Sequence, residues 1–248
     1  MFSPGGFPYS RMGLPENFAT IQNQIAAACA RAGRDPGTVT LLAVSKGQPP
    51  ESVAAAVELG QVFFGENKVQ EAKAKIPLAP GRARWQLVGH LQSNKCRDAV
   101  QLFEMIHSVD SLALAGELNK WADKFSKTMP ILLEVNAGEA TKFGFSPESV
   151  LDQLDALNAL PRLEIHGFMT IAPWTPEPEK VRPVFRRLRE LKEAGEQKLG
   201  APLPHLSMGM SGDFEVAIEE GATIVRIGTA LFGARPKPVK PVVFDDGP

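Results

Sequence analysis

Residues 39–65 read VTLLAVSKGQPPESVAAAVELGQVFFG. A β-branched, apolar run (39–45) gives way to a turn with two prolines, then to a segment with helical periodicity (50–60), then to a second apolar run (61–65). Runs this continuously apolar suit strands covered on both faces, and an amphipathic segment between them suits the crossover that a parallel pair requires. The stretch predicts one β-α-β unit.

Outward from it the pattern repeats. Six further runs, RWQLVG (84–89), FEMIHSV (103–109), MPILLEV (129–135), LEIHGFM (163–169), PHLSMGM (204–210) and TIVRIG (223–228), bring the candidate strands to eight. Helical segments fall between them at 94–103, 111–125 and 177–200, and in the last Val181, Phe185, Leu188 and Leu191 share one stripe. A leading helix is expected from about Glu16 to Arg31. Eight units predict an α/β fold, a single (β/α)8 TIM barrel with an extra N-terminal helix. An open doubly wound sheet is the competing architecture, but no GxGxxG follows the first strand. Residues 1–15, rich in Pro and Gly and without the apolar run of a secretory signal, read as an extension; 16–234 read as the barrel, and 235–248 as a Pro-rich tail.

Across 248 residues, 27 Lys and Arg against 28 Asp and Glu leave a net charge of -1, which argues against a general binder of nucleic acid or membrane surfaces. The Arg182, Arg186, Arg187 and Arg189 cluster alternates with Glu190 and Glu193 and reads as a solvated helix face. Two cysteines, Cys29 and Cys96, are too few for a thiolate metal cluster or a disulfide framework, so a reducing cytoplasm is expected. No run reaches the length of a membrane span.

A barrel carries its chemistry where its strands end. Those ends read Ser45 and Lys46; Glu66 and Asn67; His90 with Gln92, Ser93 and Asn94; Ser108 and Asp110; Asn136; Thr170; Ser207 and Met208; and Arg226, Gly228 and Thr229. Lys46 closes an apolar run, where partial desolvation would lower its pKa and free the amine to attack a carbonyl; a rim lysine reaching into water is the plainer reading. Arg226 alternates with apolar neighbours in a covered strand, so it needs either a carboxylate on an adjacent strand or a ligand acceptor. Gly228 and Thr229 open the turn after the eighth strand, where barrels recurrently bind phosphate, and Ser207 could add a hydroxyl. Amine, internal guanidinium and phosphate turn together suit pyridoxal 5′-phosphate.

At this point the chain resembles the pyridoxal phosphate homeostasis proteins, relatives of the alanine racemase barrel. The resemblance is carried by LLAVSK, FGENKVQEAKAK, WQLVGHLQSNK, HSVDS, LLEVNAGEATKFGF, GFMTIAP and LSMGMSGDFEVAIEEGATIVRIGTALFG, between Leu41 and Gly233. It implies a fold-type III barrel in which Lys46 holds pyridoxal 5′-phosphate as a covalent aldimine and Arg226 faces the pyridine nitrogen. It further implies that Ser207 and the Gly228 and Thr229 amides hold the phosphate, while Asn67, His90 and Met208 line the cofactor. Gly47 and Gln48 depart from the Thr and Lys more usual after the lysine.

Arginine at the ring nitrogen leaves that nitrogen unprotonated and the ring a poor electron sink. A racemase needs a base on each face of the substrate; the single tyrosine, Tyr9, lies in the leader, and the racemase β-domain has no counterpart. The expectation is a binding protein of vitamin B6 homeostasis without robust turnover, with pyridoxal 5′-phosphate-dependent apoenzymes as candidate recipients and a monomer or weak dimer as its state. The alternatives are an amino-acid racemase of narrow specificity using His90 as second base, and a scaffold with a vestigial site. Lys68, Lys73, Lys75 and Lys95 are expected on a surface ridge or as a transient store for displaced cofactor, and Asp213 as a helix cap.

Overall fold

The computed structural model describes residues 13–138 and 143–234; the expected extension with Tyr9, the tail from 235 and the segment 139–142 lie outside the described residues. Eight parallel strands close in sequence order: β1 (Thr40–Val44), β2 (Phe63–Glu66), β3 (Arg84–Leu87), β4 (Met105–Val109), β5 (Met129–Glu134), β6 (Leu163–Met169), β7 (His205–Met210) and β8 (Ile224–Ile227). All eight runs expected from the sequence are strands, and β8 pairs back onto β1. The barrel is therefore closed, and the open sheet is excluded.

Between the strands run α2 (Pro50–Glu58), α3 (Val69–Lys75), α4 (Cys96–Leu102), α5 (Leu112–Lys124), α6 (Pro147–Asn158), α7 (Arg182–Leu199) and α8 (Phe214–Glu219). Two more helices frame the barrel, α1 (Leu14–Arg31) before β1 and the short α9 (Thr229–Phe232) after β8. Helix α1 starts two residues inside the expected extension because Pro15 suits the first turn, where its missing N–H is not needed. It buries Ile21, Ile25, Ala28 and Cys29 on α8 and α9, and Asn17 Nδ2 donates to the Leu231 carbonyl at 3.0 Å.

Strand alternation sorts the core into two layers. Leu42 and Val44 join Val88, Met105, Leu132, Met169 and Ile224 inside the barrel, while Leu41 and Ala43 belong to the larger layer beneath the helices. Both faces of β1 are thus apolar, which is why the run shows no polar alternation. In α7 Phe185, Leu188 and Leu191 are buried, as the stripe requires, and Gly200 ends the helix in the left-handed region. The arginine face is paired as expected of a solvated surface, though chiefly with residues beyond its own helix: Arg182, Arg186 and Arg189 all reach Glu220, and Arg187 reaches Glu148. Gly167, at φ +142, sits at a register shift between β5 and β6, where a Cβ would lie 1.9 Å from the His205 carbonyl oxygen. No helix among the described residues is long and apolar enough to cross a membrane.

Candidate functional site

The polar strand ends gather at the C-terminal mouth. Strand β1 stops at Val44, Ser45 turns toward the helices, and Lys46 and Gly47 form the turn above it, with Gly47 at φ +69. Lys46, two residues beyond Val44, is exposed. It stands one residue beyond the last buried position of the run, Ser45.

The turn is anchored from the helix side. The Ser45 hydroxyl donates to Glu66 Oε1 at 2.7 Å, and Gly47 N–H donates to Glu71 Oε1. Lys75, expected on the surface ridge, is only 5% exposed; its ammonium donates to Glu66 Oε1, to the Ser45 carbonyl and to Glu71 Oε1. Helix α3 turns this lysine inward, whereas Lys73 on the same helix is exposed and pairs with Asp98. Burial pushes the Glu66 carboxyl up, with Lys75 and Ser45 pulling it partly back, and Glu66 Oε2 is buried without a hydrogen-bond partner.

A second network lies inside the barrel. Arg226, opposite Leu42 in the β1–β8 register, donates to Ser207 Oγ at 2.8 Å and to the Thr170 carbonyl at 2.7 Å. His107 lies 2.9 Å from Ser207 Oγ through Nδ1 and 2.8 Å from Gln86 Oε1 through Nε2. These contacts assign the protons. Gln86 Oε1 only accepts, so Nε2 carries hydrogen; Nδ1 then accepts from the Ser207 hydroxyl, whose oxygen accepts from Arg226. Burial first, and the Arg226 charge second, hold the His107 pKa well below the usual histidine range, which keeps the ring neutral.

Arg226 is 5% exposed, and no carboxylate lies within ion-pair distance of it among the described residues. Burial pushes its pKa down to about 10, against the pull of Asp213 and Glu134. It stays charged at neutral pH. Glu134, at the inner end of β5, is pushed up to about 7 by burial and by the Asp110 charge, with Arg226 opposing.

The other expected site residues divide. Gly228 and Thr229 do open α9, with Gly228 partly covered and Thr229 exposed. The hydroxyl beside that turn is Ser211, which accepts from Ala230 N–H at 3.3 Å. Ser207 is instead completely buried, its hydroxyl used by His107 and Arg226. The Met208 side chain, also completely buried, belongs to the helix-facing layer, because β7 alternation sends it opposite to Ser207; any contact it makes at the mouth goes through its backbone. Asn67 is half-buried at the end of β2, and Gly89 passes so close that a Cβ there would lie 2.3 Å from the Asn67 carbonyl oxygen. His90 stacks on Phe143 with ring centroids 3.5 Å apart and meets Asp110 Oδ2 through Nδ1 at 3.2 Å. Asp213 precedes α8 but accepts from Met210 N–H, not from a helix N–H.

Sequence reading missed Gln86, His107, Glu134 and Ser211, and it placed Lys75 on the surface. For Gln86 and His107 a signal existed, since each is a polar residue inside an apolar strand run. An exposed lysine just past the end of β1, a buried cation on the neighbouring strand β8 and a hydroxyl-flanked turn after it suit a small anionic aldehyde with a basic ring. No group of side chains among the described residues could hold a metal ion.

Known proteins resemble this chain in sequence and fold. The family described as alanine racemase, N-terminal domain, matches residues 17–236. A pyridoxal phosphate homeostasis protein of Aquifex aeolicus is 44% identical over 90% of this chain and 99% of its own. Another, of Pseudomonas aeruginosa, is 44% identical over 90% and 96%. The solved structure of PipY from Synechococcus elongatus with PLP bound superposes at a TM-score of 0.78, with 37% identity over 89% of this chain and all of that one.

Proposed function

Since the chain belongs to the pyridoxal phosphate homeostasis proteins, within the alanine racemase N-terminal domain family, we propose that it binds pyridoxal 5′-phosphate at the barrel mouth through a covalent bond to Lys46, without robust turnover. The observation that carries this reading is the buried guanidinium of Arg226, held by two neutral acceptors and with no carboxylate at ion-pair distance among the described residues, on the strand beside the one that leads to Lys46. A buried cation without a directly paired carboxylate is costly unless something meets it. A basic ring nitrogen does so without adding charge.

The bound cofactor supplies an aldehyde carbon that takes amines. The protein's own groups do the rest. Lys46 is exposed, and the Gly228–Thr229 turn with Ser211 offers hydrogen bonds to a phosphate. Arg226 donates and cannot deliver a proton at neutral pH, so the pyridine nitrogen stays neutral and carbanion chemistry is weakly supported. His90 meets Asp110 through Nδ1 and stacks on Phe143, which orients the ring; the reading without robust turnover rests on the neutral pyridine nitrogen and not on His90. A protein with this set holds a reactive aldehyde and limits its free concentration, in the cytoplasm as its reduced thiols suggest.

The test is the visible spectrum of the purified full chain with pyridoxal 5′-phosphate, wild type against Lys46→Ala, alongside chirality assays over a panel of amino acids. The proposal expects a visible absorption band that the variant lacks, with racemisation far below about 1 per second. A wild type that develops no such band, or one that racemises at enzyme rates, would refute it.

A further inference from the structure

The ammonium of Lys75 lies at 2.6 Å from Glu66 Oε1, 2.7 Å from the Ser45 carbonyl oxygen and 3.1 Å from Glu71 Oε1. Burying a lysine this deeply is favourable only with dense hydrogen bonding around it. The three acceptors share one feature. Ser45 is gripped by its carbonyl and, through Glu66, by its hydroxyl, while Gly47 N–H is gripped by Glu71. Those residues are the two neighbours of Lys46 in the chain. Without the cluster, the local backbone bond that remains across the turn is Gln48 N–H to the Ser45 carbonyl. With φ +69 at Gly47, the turn has the freedom to reorient.

We infer that Lys75, with Glu66 and Glu71, is a positioning clamp that fixes the backbone on both sides of Lys46 and so aims its amine at the barrel mouth. The clamp touches the strand end from behind, on the helix side of the wall. It acts through the chain and not on the ligand, so its effect falls on the covalent step and not on the contacts that hold the phosphate and ring. The inference rests on the reading of Lys46 as the point of attachment.

The test uses the full chain with two probes, pyridoxal 5′-phosphate and pyridoxamine 5′-phosphate, which has the same ring and phosphate but no aldehyde. Capture by Lys46 is followed as the rate of borohydride-trapped mass on its peptide, and binding of the amine analogue by titration. Glu71→Ala and Lys75→Met are expected to slow capture at least about tenfold, the scale of a small misplacement of a reacting group. Lys75→Arg should recover part of the rate, and binding of pyridoxamine 5′-phosphate should change less than about twofold in all three. If Lys75→Met does not fold, Glu71→Ala decides, because it leaves Lys75 paired with Glu66. Unchanged capture in Glu71→Ala, or equal losses with both probes, would overturn the clamp. A wild type with no trapped mass on Lys46 would instead overturn the reading on which the clamp rests.

Discussion

The polar cluster outside the barrel wall, Glu66–Lys75–Glu71, and the one inside it, Arg226–Ser207–His107–Gln86, solve burial differently. The outer cluster concentrates formal charge: one ammonium against two carboxylates, with Glu66 Oε2 left unpartnered. The inner one has a single charge and passes hydrogen bonds in series through a hydroxyl, a neutral imidazole and an amide. The outer holds a backbone turn. The inner holds one cation at a fixed place, and it can do so without a counter-ion because each neutral group has a determined donor and acceptor role. A site that must meet a neutral ring nitrogen is better served by the second arrangement, since a carboxylate beside Arg226 would already occupy it.

Removing charge from the outer cluster should therefore cost the most. Lys75→Met strands two acidic groups and is expected to lower unfolding free energy by about 3–5 kcal/mol in urea titration. A loss no larger than that of an inner-network variant would break the comparison. Next comes Glu134, inside the barrel. A folded pKa of about 7 against an ordinary value of 4.5 means the native state favours the protonated acid, so its contribution is complete below pH 4.5 and lost as pH rises through 7. Glu134→Gln should accordingly stabilise the protein by about 3 kcal/mol at pH 8 and by less than about 1 at pH 5; equal gains at both values would contradict the assignment.

His107→Phe leaves the Ser207 hydroxyl and Gln86 without their partner, for an expected loss of about 1–3 kcal/mol at pH 8. The same variant sharpens the proton assignment. His107 is depressed below 6.5 in the fold, so its contribution is full above pH 6.5 and lost as pH falls beneath that value. The variant should show a shallower acid decline than wild type, and an unchanged slope would mean the imidazole is not held neutral. Smallest is Arg82→Ala, which removes an exposed pair with Glu58 whose partners are 73% and 76% exposed. No change in the urea midpoint is expected. A large one would mean that charge pairing itself, and not burial, sets the cost at Lys75.

The barrel was legible because parallel strands covered on both faces leave long apolar runs, and eight of them recur between 39 and 228. Lys46 and Arg226 were legible for the same reason, as charges beside or within such runs. Lys75 was not. In VQEAKAK the two lysines are two positions apart and chemically alike, and which one turns inward depends on how α3 packs over the Ser45 turn, which is tertiary information. Ser207 and Met208 show the limit of reading strand ends from position alone. Both close the β7 run, yet alternation sends one into the barrel and the other under the helices, and the hydroxyl at the α9 turn comes from Ser211. The exposure of Lys46 turned on a single residue, since β1 ends at Val44.

The central claim, that Lys46 is where this protein takes its cofactor, is tested most directly by borohydride reduction of the full chain mixed with one equivalent of pyridoxal 5′-phosphate, followed by peptide mass mapping. The account predicts one phosphopyridoxyl adduct, on the peptide carrying Lys46, that disappears in Lys46→Ala. Adduct scattered over exposed lysines such as Lys68 and Lys73, with none on Lys46, would contradict it.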